Sequence, residues 1–219
     1  MMEKFKNIEL IIFDLDGTLV NSQFDLADAV NFALQKMGRP LITYEQVPNM
    51  IGSGVRKLLE LALGNFNAEE LAEARQHFDF FYHKNYTNKT NYYKSVPDVL
   101  EYFSHKKKAV YSNKAHPFTV EIIRKLGLQP HFDKVLGAHP QRYAPKPSPE
   151  GIQLILKDLN INPENTIMVG DSTHDIHAAQ AAGIFTCAVT YGYRPVAVLQ
   201  PTHPDLIIDD LSELKKYII

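Results

Sequence analysis

The sequence predicts an α/β protein: a doubly wound parallel sheet with a helical segment inserted after the first strand. Short apolar runs rich in β-branched residues alternate with helical stretches through the second half of the chain, which is typical of such a sheet. Residues 22–90 show helical periodicity and no convincing strand. The chain has 219 residues, of which 45% are hydrophobic and 22% charged, as expected for a globular protein with a sizeable core.

The predicted strands share a nearly continuous apolar run, which indicates burial on both faces. In order they are "IELIIF" (8–13), "KAVYSN" (108–113), "KVLGA" (134–138), "TIMVGD" (166–171), "TCAVTY" (186–191) and "DLIID" (205–209). Helices are predicted between them at 119–128, ended by Gly127, and at 151–160, where Ile152, Ile155, Leu156 and Leu159 share one face. This alternation is Rossmann-like.

The inserted segment contains two clear helical patterns. Apolar residues from Ala29 to Met37 form one stripe, which Gly38 closes, and a second long helix follows a predicted cap at Asn67. We therefore expect a core formed by residues 1–20 and 91–219, and a helical cap domain formed by residues 21–90.

Charge and cysteine content narrow the range of partners. The formal net charge of −2 predicts neither nucleic-acid nor membrane binding, and the run "HKKK" at 105–108 is interpreted as a solvated helix end. The single cysteine, Cys187, cannot form an internal disulfide, which favours a cytoplasmic location. No long apolar segment occurs, so we expect neither export nor membrane insertion.

Polar side chains follow four of the predicted strands, where crevice-lining loops are expected. They are Asp14 and Asp16 in "DLDGT", Ser112 and Asn113, Lys146 in "HPQRYAPKPSPE", and Asp171 and Asp175 in "GDSTHD". Four converging carboxylates repel one another unless a cation lies among them, and oxygen ligands suit Mg²⁺. Because Mg²⁺ commonly binds a substrate phosphate as well, we expect a phosphate substrate. Lys146, Thr18, Ser112 and amides near Gly17 would then contact its oxygens.

These motifs resemble a known family. "DLDGTLVNS", "SNK", "KPSPE" and "GDSTHDIHAAQAAG", in this order, are similar to the haloacid dehalogenase-like superfamily of phosphatases, and the helical insert resembles its small cap. The stretches "IGSGVRKLL" (51–59), "TYGYRP" (190–195) and "PDLIIDDLSEL" look most like the phosphoglycolate phosphatase subgroup. The resemblance covers almost the whole chain, with Asn21 where the pattern usually has Asp.

The resemblance implies a Mg²⁺-dependent phosphomonoesterase acting on a small cytosolic phosphate ester, with 2-phosphoglycolate as the best guess. Asp14 would be the nucleophile that forms an aspartyl phosphate, and Asp16 the general acid and later the base. The metal ligands would be Asp14, the Asp16 carbonyl and Asp171, with Asp175 in the outer shell. Ser112 and Lys146 would hold the phosphoryl group, with Asn113 in support. The protein is expected to be a monomer or homodimer.

The segment "IGSGVR" allows two interpretations. Its glycines suit a turn between cap helices. Alternatively, Gly52, neighbouring amides and Arg56 face the core and bind an acidic group of the substrate.

Other functions remain as alternatives. A sugar-phosphate phosphomutase of the β-phosphoglucomutase type would share every core motif, and a non-catalytic phospho-receiver also carries acids and a lysine at strand ends. A dehalogenase is disfavoured because that branch generally lacks the second acid, Asp16. His174 and His177 resemble a transition-metal pair but have no further partner at metal spacing, so they are interpreted as helix-surface residues.

Overall fold

The computed structural model describes residues 5–219. The strands are β1 (Leu10–Phe13), β2 (Val20–Asn21), β3 (Asn91–Tyr92), β4 (Lys107–Ala115), β5 (Lys134–Ala138), β6 (Thr166–Gly170), β7 (Phe185–Val189) and β8 (Leu206–Ile208). The α-helices are α1 (Gln23–Lys36), α2 (Gly54–Leu63), α3 (Ala68–Asn85), α4 (Val96–Tyr102), α5 (His116–Lys125), α6 (Glu150–Leu159), α7 (Thr173–Ala182), α8 (Val196–Leu199) and α9 (Leu214–Tyr217).

Six strands form one sheet in the order β5-β4-β1-β6-β7-β8, and every neighbouring pair is parallel. The predicted Rossmann-like α/β class is therefore confirmed. All four residues of β1 are buried, and Phe13 is paired with Val110 on one side and Val169 on the other. Because β1 lies in the middle of the sheet, the polar loop after it is flanked by the loops after β4 and β6.

Helices cover both faces of this sheet, as a doubly wound topology requires. Alternate residues of β1 belong to different apolar clusters: Ile11 and Phe13 pack on one face, and Leu10 and Ile12 on the other. The first face is covered by α4 and α5, and the second by α6 and α7. The predicted apolar face of α6 is confirmed, since Ile152, Ile155 and Leu156 are buried.

The segment between β2 and β3 is helical, and α1 packs against α3. Asn67 caps α3 as predicted: its side chain accepts a hydrogen bond from the Glu70 amide at 2.9 Å, and the Glu70 carboxylate accepts one from the Asn67 amide at 2.9 Å. At the two points where the chain enters and leaves this segment, β2 and β3 pair antiparallel. The limits of 21 and 90 for a separate cap domain stay a prediction.

Among the described residues, no helix is long and apolar enough to cross a membrane. Cys187 is buried in β7, which agrees with its apolar sequence environment. The expectation that the chain carries no leader falls partly on residues 1–4, which lie outside the described residues.

A buried carboxylate holds the start of α1 against the residues just before β3, where the chain leaves the helical segment. Asp25, in the first turn of α1, accepts hydrogen bonds from the Lys89 amide at 3.0 Å and from the amide and hydroxyl of Thr90, both at 2.7 Å. Asp25 is 1% exposed, so water cannot replace these bonds.

Replacing this carboxylate should destabilise the protein. Asp25→Ala leaves the Thr90 amide and hydroxyl without their acceptor, and we expect the free energy of unfolding to fall by about 2–3 kcal/mol, measured by urea denaturation. Asp158→Ala is the control, because Asp158 forms only an exposed ion pair with Lys134 and its loss should leave the unfolding midpoint nearly unchanged. Equal midpoints for the two variants would contradict this role of Asp25.

Candidate active site

A buried lysine lies at the centre of the polar cluster. Lys146 Nζ lies 2.8 Å from Asp14 Oδ1 and 2.6 Å from Asp175 Oδ1, and it donates to the Tyr111 carbonyl at 2.9 Å. These groups come from the loops after β1 and β5, from α7, and from β4. Burial alone would lower the pKa of Lys146, but Asp14 and Asp175 raise it overall, so the amine stays charged.

Three carboxylates meet beside this lysine. Asp14, Asp171 and Asp175 are buried, and each offers an oxygen within 4.8 Å of the others. Burial and the charge of Asp175 raise the pKa of Asp14 well above its usual range, although Lys146 opposes the shift. The same two causes raise the pKa of Asp171 to about 7. The three side chains offer only oxygen ligands, which hard divalent cations prefer. Such a cation would also offset the repulsion among the three carboxylates, so these residues fit a hard divalent ion.

Two of these carboxylates are held by neighbouring donors. Thr18 Oγ1 donates to Asp171 Oδ1 at 3.2 Å, and the Tyr193 amide donates to Asp171 Oδ2 at 2.7 Å. Asp175 Oδ2 accepts from the amide and hydroxyl of Ser172, at 3.0 and 2.7 Å, which caps the start of α7. Thr18, predicted to bind substrate, is thus fully buried and directed at Asp171.

Two glycines allow the loops to close on Asp171. A Cβ at Gly17, whose φ is +90°, would lie 2.2 Å from the Asp171 carboxylate oxygen. A Cβ at Gly192 would lie 2.3 Å from Asp171 Cβ. Any larger residue at either position would displace this carboxylate.

Asp16 has different partners from Asp14. Its carboxylate accepts a hydrogen bond from Ser22 Oγ and lies 3.0 Å from Lys114 Nζ. Both contacts were missed by the sequence analysis. Lys114 stands in the quoted motif "SNK", but nothing in the sequence places its ammonium beside Asp16.

Ser112 and Asn113 lie near the end of β4, beside the loop after β1 that contains Asp14. Ser112 Oγ accepts from the Lys114 amide at 3.2 Å, which leaves its hydrogen free to donate. The Asn113 side chain donates to the carbonyls of Gly52 and Lys146, both at 3.0 Å, and accepts from the Lys146 amide at 2.9 Å. In this geometry Asn113 positions Lys146 and the loop that contains Gly52.

A cavity of about 410 Å³ opens between this cluster and the helical segment. Its walls include both Gly52 and Arg56, the two residues predicted in "IGSGVR". The Arg56 side chain is 80% exposed and pairs with Glu60 at 3.0 Å, so it lies at the edge of the cavity. The loop around Gly52 is also held from the other side, because Arg194 donates to the carbonyls of Pro48, at 2.6 Å, and Ile51.

The two histidines on α7 diverge. His174 Nε2 lies 3.4 Å from Ser53 Oγ, whereas His177 is exposed. Among residues 5–219, the one group with metal-ligand spacing is the aspartate cluster, which contains neither histidine.

Comparison with known proteins identifies the family. The family model described as haloacid dehalogenase-like hydrolase matches residues 11–189, which include every residue of the polar cluster. The chain belongs to this family. It is therefore an enzyme, a hydrolase of the phosphatase type, as its motifs predict.

The chain is similar to several relatives over nearly the full length of both proteins. Phosphoglycolate phosphatase from Aliivibrio fischeri is 36% identical over 220 residues, covering 96% of both chains. The enzyme of the same name from Vibrio parahaemolyticus is 34% identical over 224 residues, covering 97% of both. A crystal structure of a predicted phosphoglycolate phosphatase from Haemophilus somnus superimposes with a TM-score of 0.87 at 31% identity, covering 96% of this chain and 97% of the other.

The carboxylate cluster should bind a divalent cation measurably. At a Mg²⁺ concentration one hundred times the dissociation constant of the wild-type protein, we expect the free energy of unfolding of the wild type to rise by about 2.7 kcal/mol. This gain should appear as a higher unfolding temperature that EDTA reverses. Measured at the same Mg²⁺ concentration, Asp171→Asn should weaken this effect, because it removes one charged ligand, while the exposed-site variant Asp158→Asn should retain it. Equal stabilisation of both variants would exclude Asp171 as a ligand.

Proposed function

We propose that the protein is a Mg²⁺-dependent phosphomonoesterase that works through an aspartyl phosphate on Asp14. The observation that carries this proposal is the different environment of the two aspartates. Lys146 binds one oxygen of Asp14 and leaves the other available for attack, while Asp16 is held apart by Ser22 and Lys114. One carboxylate is therefore suited to nucleophilic attack, and the other to proton transfer.

The first chemical step would form the covalent intermediate. Asp14 attacks phosphorus while the bond from phosphorus to the ester oxygen breaks, and the carboxylic acid of Asp16 donates its proton to that departing oxygen. The free hydrogen of Ser112 would donate to a phosphoryl oxygen, and the charge of the Lys146 ammonium, which also holds Asp14, would offset the negative charge of the phosphoryl group.

The second step would regenerate the enzyme. The Asp16 carboxylate accepts a proton from water as this water attacks phosphorus, and the bond from phosphorus to Asp14 breaks. Asp14, the Asp16 carbonyl and Asp171 would hold Mg²⁺, with Asp175 in support. Bound Mg²⁺ would offset the negative charge of the carboxylates and phosphoryl oxygens in both steps.

We propose 2-phosphoglycolate as the substrate, in a cytoplasmic enzyme whose residues 21–90 form the cap. The support is the name shared by relatives at 32–36% identity over nearly full length. Thr18, Ser112, Asn113, Gly52 and Arg56 stay proposed substrate-binding residues. For Thr18 and Asn113, the observed contacts favour a role in positioning Asp171 and Lys146.

Exchange of each aspartate should separate their roles. Asp14→Asn removes the attacking charge, so phosphate release should vanish and no phosphoenzyme should form. Asp16→Asn keeps the nucleophile and should slow both steps by about 10²–10⁴-fold. With an aryl phosphate, which needs little protonation on leaving, the Asp16 variant should accumulate phosphoenzyme, detected by intact-protein mass spectrometry after rapid quenching. A phosphoryl group on the Asp14→Asn protein would contradict the assignment.

A substrate panel should test the reaction itself. With Mg²⁺, we expect phosphate release from 2-phosphoglycolate to exceed that from sugar phosphates, nucleotides and pyrophosphate. Excess EDTA should abolish turnover, and Ca²⁺ should restore it poorly because Ca²⁺ favours larger and more flexible coordination. Isomerisation of a sugar phosphate that depends on a bisphosphate primer would instead favour the phosphomutase.

A further inference from the structure

Lys114 is one of two buried lysines that line the cavity; the three N–H groups of the other, Lys146, are taken by Asp14, Asp175 and the Tyr111 carbonyl, whereas those of Lys114 are not. The Lys114 side chain is 7% exposed, and its ammonium pairs with Asp16 at 3.0 Å. Arg56 and Arg75 also line the cavity, but their side chains are 80% and 44% exposed and pair with Glu60 and Asp79. A buried charge interacts with a ligand far more strongly than one screened by water.

The ammonium of Lys114 has donors to spare. A lysine offers three N–H groups, and among the described residues Asp16 is the only carboxylate paired with it. Lys114 also lies over the ring of Tyr82, with its Nζ 5.4 Å from the ring centre. Tyr82 belongs to α3, so this lysine stands between the acid of the core and the helical segment above it.

Tyr82 carries an unused polar group at the same place. Tyr82 is 2% exposed, and the hydrogen of its hydroxyl has no acceptor among residues 5–219, because the Lys114 ammonium beside it can only donate. Burying a hydroxyl without an acceptor costs free energy, so this group needs an acceptor that the protein does not supply. Both Tyr82 and Lys114 line the cavity above Asp14 and Asp16.

We propose that Lys114 Nζ and Tyr82 Oη together bind a carboxylate on the leaving group of the substrate, next to the ester oxygen. This inference rests on the proposed function, in which Asp16 protonates that oxygen. Lys114 pairs with Asp16, and in the proposed mechanism Asp16 protonates the ester oxygen of the leaving group. A carboxylate bound to Lys114 would therefore lie about one methylene group away from that ester oxygen. In 2-phosphoglycolate a single methylene separates the ester oxygen from the carboxylate.

Aromatic side chains limit the size of this group. The Tyr82 ring stacks on Phe78, with 5.1 Å between ring centres, and contacts Phe118 edge-on at 5.0 Å. All three rings line the cavity. Lys114 and Tyr82 therefore select a short phosphorylated hydroxy acid. Binding of its carboxylate charge does not require the exposed Arg56.

The test compares ligands that differ only in the carboxylate. The first measurement is the ratio of kcat/KM for 2-phosphoglycolate to that for 2-hydroxyethyl phosphate, which replaces the carboxylate by a neutral hydroxymethyl group. The second is the ratio of dissociation constants for 3-phosphonopropionate and propylphosphonate, which cannot be hydrolysed. If the wild type hydrolyses neither ester, the proposed phosphatase function fails, while the binding ratio still tests the carboxylate site.

Lys114→Met should reduce both preferences for the carboxylate ligand by about 10–100-fold, the value of a charge-assisted hydrogen bond in a buried site. Tyr82→Phe, which removes only the hydroxyl, should reduce them by about 3–10-fold. Lys114→Arg should retain part of the preference because it keeps the charge. Lys108→Met is the matched control: Lys108 is also buried in β4, but it bonds the carbonyls of Phe103 and Lys106, and its loss should leave both ratios unchanged.

Two results with the variants, and one with the wild type, would overturn the proposal. One is a folded Lys114→Met protein that loses activity and affinity equally for both members of each ligand pair, which would make Lys114 a support for Asp16 alone. The other is loss of the carboxylate preference in Arg56→Ala and not in Lys114→Met. A wild-type protein with no carboxylate preference would exclude the site as well.

Discussion

The buried ammonium of Lys146 is the constraint on which the rest of the site depends. It lies between Asp14 and Asp175 and is 2% exposed on its side chain, so neither its charge nor theirs can be solvated by water. Removing one member of such a group leaves an uncompensated buried charge, which is strongly destabilising. The fold must therefore hold three chain segments, after β1, after β5 and at the start of α7, in one fixed arrangement.

Much of the surrounding structure serves this arrangement. Asn113 binds the backbone of Lys146 on both its amide and its carbonyl, and Ser172 fixes the second oxygen of Asp175. Four carboxylates still face two lysines, Lys114 and Lys146, which leaves an excess of two negative charges before any cation is counted. Burial, followed by the charge of Asp175, raises the pKa values of Asp14 and Asp171, and a divalent cation fits among these carboxylates because it offsets their remaining charge.

The sequence was sufficient for the strands and for the convergence of the polar motifs. The apolar runs predicted all six strands of the main sheet within two residues at each end, and the helix stop at Gly127 and the cap at Asn67 are local signals. The β2–β3 pair was not predicted, because each strand has only two residues and forms through a partner about seventy positions away.

The contacts of Lys114, Gly192 and Arg194 escaped prediction for the same reason. Each depends on a segment far along the chain: Arg194 binds carbonyls 146 and 143 residues away, at Pro48 and Ile51. Residue type alone gives no indication that Lys114 is buried or that Gly192 lies against Asp171. The interpretation of "IGSGVR" was likewise open, since exposure of Arg56 is a property of packing.

These long-range contacts connect the two ends of the cavity. The loop from Pro48 to Gly52 is fastened to the core through its carbonyls, by Arg194 and Asn113, while Lys114 reaches from Asp16 to Tyr82 on α3. The core residue Asn113 thus contacts both Lys146 and the loop above it. The proposed substrate, bound in this cavity, would contact the Lys146 side and the aromatic rings of α3 at the same time. The size selection proposed for Lys114 and Tyr82 would follow from the packing of the Tyr82 ring against Phe118 of the core, which limits the space beside the lysine.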